Sequence, residues 1–142
     1  MKRRSGFTLV ELMIVLALIA VISALAIPSL LNARKAGNEA SAISSLRTLC
    51  TVNMQYRTRF RMFAPALADM QANGFIDAVL ASGTKSGYLI TYARPSLETW
   101  SCNADPASPG FTGDRHFFTD ESGVIRVDVA AAAGPASNPI DG

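Results

Sequence analysis

From Phe7 to Ile27 the chain reads FTLVELMIVLALIAVISALAI, about 21 residues that carry one charge, Glu11. A helix of that length covers a bilayer core of roughly 30 Å at about 1.5 Å per residue. The segment therefore needs lipid or another apolar partner, whatever the rest of the chain does. Lys2, Arg3 and Arg4 crowd the start, and the next base is Arg34. Such a cluster stays in the cytoplasm by the positive-inside rule, which puts the C-terminal part outside the cytoplasmic membrane. With 142 residues the chain has room for one domain and an anchor. Acids and bases nearly balance beyond Pro28. That leaves no basic stripe for nucleic acid and argues against nucleic acid as a main partner.

The run does not read as an ordinary secretory signal. Such a signal has an apolar stretch of roughly 7–15 residues followed by a small-residue cleavage site. Here the stretch is longer, and Ala24-Leu25-Ala26 is a poor site with Pro28 close behind. The other candidate boundary lies ahead of the run, at Ser5-Gly6-Phe7-Thr8-Leu9-Val10-Glu11. The string GFTLVELMIVLALIAVISALAIP closely resembles the processing and methylation segment of type IV prepilins and type II secretion pseudopilins. The likeness is strong over about the first 30 residues and loose beyond them.

The resemblance implies a membrane-embedded peptidase that cuts after Gly6 on the cytoplasmic side and methylates the new amine of Phe7. It implies an inner-membrane precursor with one span, an assembly platform in that membrane, and polymerisation with copies of itself. The product is then a periplasmic pseudopilus or an extracellular pilus.

Glu11 is the costly residue in the run. An acid at the centre of a membrane helix costs roughly 2.5–3.5 kcal/mol on insertion scales, and less towards the end where Glu11 sits. One reading is an incidental acid that reaches the headgroups. The other supplies a partner: a cut before Phe7 creates an amine that a neighbouring subunit, shifted along a filament, can set against this carboxylate. The pair removes an unpaired charge from a low-dielectric core and fixes axial register. The resemblance implies the same role for Phe7 and Glu11.

One long helix is expected from Phe7 to about Arg57, with Pro28 as a kink or interruption. Ala36, Ala40, Ile43, Leu46, Cys50 and Met54 recur at helical spacing and are expected to share a face, with Glu39 and Arg47 at its edges. Pro65–Met70 and Phe75–Ala81 read as short helical pieces. Gly87–Arg94 and Leu97–Asn103 read as strands, Ala104–Gly113 as a loop, and Arg115–Thr119 with Val124–Val129 as a hairpin around Asp120-Glu121-Ser122-Gly123. The expected class is α+β, a long helix packed on a small antiparallel sheet, as in pilins. The expected segments are a leader 1–6, a transmembrane or filament-core helix 7–28, an amphipathic half 29–58, a head 59–129 and a flexible tail 130–142.

Cys50 and Cys102 are the two cysteines. A disulfide between them would close a loop of about 50 residues and stabilise the head by roughly 4 kcal/mol in the chain-entropy treatment; two buried thiols are equally ordinary core residues. Both remain open at this stage. His116, flanked by Arg115, Phe117 and Phe118, reads as a strand residue and not as a base. No nucleophile elbow, phosphate loop or zinc-ligand spacing occurs, so no catalytic residue or cofactor is assigned. Asp114, Asp120, Glu121 and Asp128 lack EF-hand spacing and read as a turn and a solvated face, so no metal ligand is assigned. A calcium site in this region is known in some pseudopilins. The leading function is a filament subunit of a type IV pilus or type II pseudopilus. The alternatives are a minor tip subunit that binds a surface, DNA or exported cargo, and, third, a tethered enzyme for which no catalytic constellation is present.

Overall fold

The computed structural model describes residues 7–140. The chain divides into two compact units, Met1–Ala33 and Arg34–Gly142. Helix α1, Leu9–Phe60, begins in the first and runs into the second. Two short helices follow, α2 (Leu67–Ala72) and α3 (Ala78–Ala81). Six strands complete the second unit: β1 (Thr84–Lys85), β2 (Tyr88–Ala93), β3 (Ser101–Pro106), β4 (His116–Asp120), β5 (Arg126–Asp128) and β6 (Asn138–Pro139). They form one antiparallel sheet in the order β1-β2-β3-β4-β5-β6. The molecule is α+β, a long helix with a small antiparallel sheet, as expected.

In the first unit α1 continues through Pro28 without a break. Phe7, Leu9 and the large apolar residues from Leu12 to Ile27 stand mostly exposed. This part of α1 contains an 18-residue window of mean hydropathy 2.8, long and apolar enough to cross a membrane.

In the second unit α1 packs through Ala42, Leu46, Leu49, Val52 and Tyr56, which join Tyr88, Ile90, Cys102, Ala104 and Phe117 of the sheet in one core. This corrects the expected helix face. Of the expected stripe only Leu46 is buried; Ala36, Ala40 and Met54 are exposed, and Ile43 and Cys50 flank the core. The buried stripe instead begins at Glu39, whose carboxylate accepts the Asp114 backbone N–H at 2.9 Å and the Arg115 Nε–H at 2.8 Å. With its charge matched, an acid can lie on a packed face.

The period-two alternation of strands sets the two faces of the sheet. Cys102, Ala104, Phe117 and Thr119 are buried on the helix side. Asn103 and Phe118, opposite each other in the register, turn to the other face. The segment after β5 crosses that face. Ala133 is buried there, and its carbonyl accepts from Asn103 Nδ2 at 2.8 Å. The sequence left little for 130–142 to bury; the described part of it contributes Ala133 and strand β6, paired with β5. Strand β3 also runs further than expected, to Pro106, because Ala104 and Asp105 pair with Ile90 and Leu89.

The loop between β3 and β4 is tied to α1 at several points. Lys35 Nζ lies 3.1 Å from the Asp114 carboxylate. Asn38 Nδ2 donates to the Thr112 carbonyl at 2.8 Å, and Glu39 holds Asp114 and Arg115 as described. Gly113 permits this close approach: a Cβ there would collide with the Tyr88 phenol, which is fully buried and donates to the Arg115 carbonyl at 2.8 Å.

Candidate functional site

The first helical turn carries a reciprocal cap. Thr8 precedes α1, and its backbone N–H and hydroxyl donate to Glu11 Oε2 at 2.9 and 2.8 Å. In return the Glu11 backbone N–H donates to Thr8 Oγ1 at 3.2 Å. This is a capping box, in which residues three apart satisfy donors that the helix start would otherwise leave unpaired. The acid also faces the positive end of the helix dipole. Glu11 is therefore not simply a charge stranded in an apolar run. The order Thr8-x-x-Glu11 signals this cap in the sequence, although the charge of Glu11 in an apolar run draws attention away from it.

Around this cap the surface is apolar on every side: Phe7 is 84% exposed and Leu9 73%. A helix that is apolar all round is a membrane span or the core of an assembly. Gly6 and the leader 1–6 lie outside the described residues.

Cys50 and Cys102 stand as free thiols. Cys50 Sγ lies 3.2 Å from Thr119 Oγ1, and Thr119 is directly opposite Cys102 in the β3–β4 register. The structure thus brings both cysteines to one residue. Burial raises the pKa of each; for Cys50 the Thr119 bond works against burial, and for Cys102 the neighbouring Cys50 adds to it.

The other candidate residues are engaged separately. His116 Nδ1 lies 2.7 Å from Asp105 Oδ1. Asp120 accepts from the Ser122 backbone, Glu121 from the Trp100 backbone and Asp128 from the Ala130 backbone. Among the described residues no group of three or more His, Cys, Asp or Glu side chains converges as a metal site.

Residues 1–27 match the family model described as the prokaryotic N-terminal methylation motif. Over 143 aligned residues the chain is 29% identical to the type IV wide pilus major component PilA4 of Thermus thermophilus, covering 98% of this chain and all of that protein. It is 35% identical over 99 residues to the type IV major pilin protein PilA of Myxococcus xanthus, covering 68% of this chain and 41% of that one. The chain is thus similar to type IV pilins at its N-terminal motif and, more loosely, along its length. Both relatives are structural proteins of pili and not enzymes. The capped, apolar start of α1 lies in the segment that the methylation motif covers.

Proposed function

We propose that this chain is a type IV pilin, the repeating subunit of a type IV pilus. The observation that carries the reading is the start of α1. It is apolar on all sides over a membrane-spanning length and bears one carboxylate, Glu11, capped at its N-terminus. The full-length match to a major pilus component supports a pilus over a pseudopilus and a major subunit over a tip subunit.

In this reading the precursor sits in the inner membrane with the leader in the cytoplasm and the head outside. The peptidase cuts after Gly6 and methylates Phe7. Thr8 holds the Glu11 carboxylate in the free subunit, so the acid is satisfied while it waits in lipid. During assembly on the membrane platform the amine of a neighbour's Phe7, still cationic after methylation, takes up that carboxylate. Exchange of one partner for another costs less than desolvating a bare charge. Pro28 marks the helix segment that can yield when subunits pack, since its ring removes one backbone hydrogen bond. Cys50 and Cys102 close a bridge between α1 and β3 once the head has left the cytoplasm.

Electron microscopy of surface filaments tests the reading. A strain lacking this chain should lose filaments, and the chain restored in trans should return them and label along their length. Filaments that persist unchanged without the chain, or label only at their tips, would overturn it.

A further inference from the structure

Asn73 is followed by Gly74, and both are exposed at the end of α2. The side-chain carbon of an asparagine lies one ring closure away from the backbone nitrogen of the next residue. Attack by that nitrogen gives a five-membered imide, and a Cβ on the attacking residue obstructs it. The other asparagines of the chain precede Ala33, Glu39, Met54, Ala104 and Pro139. Pro139 has no N–H to give up. Asn53 is fully buried, and Asn38 Nδ2 and Asn103 Nδ2 hold the Thr112 and Ala133 carbonyls. Asn73 alone has a glycine behind it.

The fold holds this pair in a cap. The Asn73 backbone N–H and its Nδ2 both donate to the Asp69 carbonyl, at 3.2 and 2.8 Å. Gly74 N–H donates to the Gln71 carbonyl at 2.9 Å, with Gly74 at φ +76°. That is the left-handed position that ends many helices and that glycine takes without strain. Both nitrogens the reaction needs are therefore occupied: the one that would attack holds one carbonyl, and the one that would leave holds another.

The hold is weak. Helix α2 has six residues, and Ala66 at its start makes no side-chain cap bond. A helix this short depends on its packing, here through Leu67 and Met70, while Gln71 and Ala72 in its last turn are exposed. Such ends open locally at much less than the cost of global unfolding.

We propose that Asn73–Gly74 is a site of spontaneous deamidation, gated by the cap of α2. When the last turn opens, the Gly74 nitrogen gives up its proton and bonds to Asn73 Cγ. The Cγ–Nδ2 bond breaks, and Nδ2 leaves as ammonia with that proton. Water then adds to either imide carbonyl and opens the ring. Position 73 becomes aspartate or isoaspartate. Either product loses the donor that held the Asp69 carbonyl. It also puts a negative charge at the C-terminal end of the helix dipole, at i+4 spacing from Asp69, and both effects disfavour the cap. The change is one-way, so altered chains accumulate with the age of the protein. The site lies in the head and does not depend on the filament reading.

The test incubates the solubilised full chain, folded or unfolded in denaturant, and samples it over time. Trypsin cuts after Arg61 and Lys85 release residues 62–85, in which Asn73 is the one asparagine. Mass spectrometry of that peptide should show amide turning to acid, as a mixture of aspartate and isoaspartate, before any other asparagine of the chain changes. The rate should rise on unfolding. Gly74→Asn keeps a residue that tolerates the left-handed position and adds a side chain to the attacking residue. In denaturant, where the fold plays no part, it should bring conversion at position 73 down to that of the other asparagines. Folded chain that stays unconverted while unfolded chain converts, equal rates in the two states, or undiminished conversion in unfolded Gly74→Asn would each overturn the proposal.

Discussion

The Arg115 guanidinium donates from Nε to Glu39 Oε2 at 2.8 Å, joining α1 to the residue that precedes β4. The same carboxylate holds the Asp114 backbone N–H. The pair thus fixes the β3–β4 loop against the helix.

Glu39→Ala is therefore expected to do more than remove a surface charge. It strands a backbone donor and leaves Arg115 without its partner, a loss of about 1–3 kcal/mol. Glu39→Gln keeps the side-chain shape and an acceptor oxygen and should recover part of it. Thermal unfolding of the solubilised full chain reads both. An unchanged midpoint for Glu39→Ala would show that the loop is held by Lys35 and Asn38 alone.

Gly113→Ala should destabilise the head by about 1–3 kcal/mol, because the new methyl would occupy the space of the Tyr88 phenol, which is buried and has nowhere to move. Tyr88→Phe in the same chain should relieve part of the clash, at the loss of the bond to the Arg115 carbonyl. A wild-type midpoint for Gly113→Ala would contradict this packing.

Several of these relationships were beyond the reach of the sequence. The long helix, the strand Tyr88–Ala93 and the hairpin around Asp120–Gly123 follow from local pattern, since apolar run, β-branched and aromatic content and turn residues all act within a few positions. The packed face of α1 did not. Glu39 reads as a break in an apolar stripe until Arg115, 76 residues away, supplies its counter-charge. Ala133 and Asn138–Pro139 look dispensable because small residues bury little, yet they cover Asn103 and pair with β5. Thr8 was legible, being three residues from Glu11 in the capping order.

Oxidation of the exported chain is expected to join Cys50 to Cys102. Two thiols each give up a hydrogen and the pair transfers two electrons to a protein disulfide donor outside the cytoplasm. Peptide mapping without reductant should show the linked pair, and reduction should lower stability by up to about 4 kcal/mol in the chain-entropy treatment. Free alkylation of both thiols in protein taken from intact cells and unfolded in the alkylating buffer would show that Cys50 stays with Thr119 instead.

Alkaline pH should weaken the head. Burial raises the pKa of Tyr88 and Tyr92, with Glu39 adding to the effect on Tyr88 and the Asn53 bond opposing it on Tyr92. The folded state thus keeps protons that the unfolded chain releases near pH 10. Their contribution is fully present below that value and is lost as pH rises through the higher folded values. Denaturant midpoints should fall from about pH 10 upward, and Tyr92→Phe should flatten the fall. A midpoint independent of pH up to 11 or so would contradict the burial of these phenols.

Glu11→Ala separates processing from assembly. In the proposed reading the cut depends on the leader and Gly6, so the variant should be cleaved and remain in the membrane. It loses both the cap from Thr8 and the partner for a neighbour's amine, and that amine would enter an apolar core unpaired at a cost of about 3–5 kcal/mol if fully buried. Few or no filaments are expected by electron microscopy, with mature protein at wild-type levels. Thr8→Ala should assemble better than Glu11→Ala, because it removes the resting partner of the carboxylate and leaves the carboxylate itself. Normal filaments from Glu11→Ala would make the acid incidental.

The central claim is that a processed form of this chain is what the filament is built from. Intact mass and N-terminal sequencing of protein released from sheared, washed filaments test it most directly. The expected result is a dominant species that lacks residues 1–6 and begins with N-methylated Phe7. Filaments made of some other protein, with this chain retained in the membrane and still starting at Met1, would contradict it.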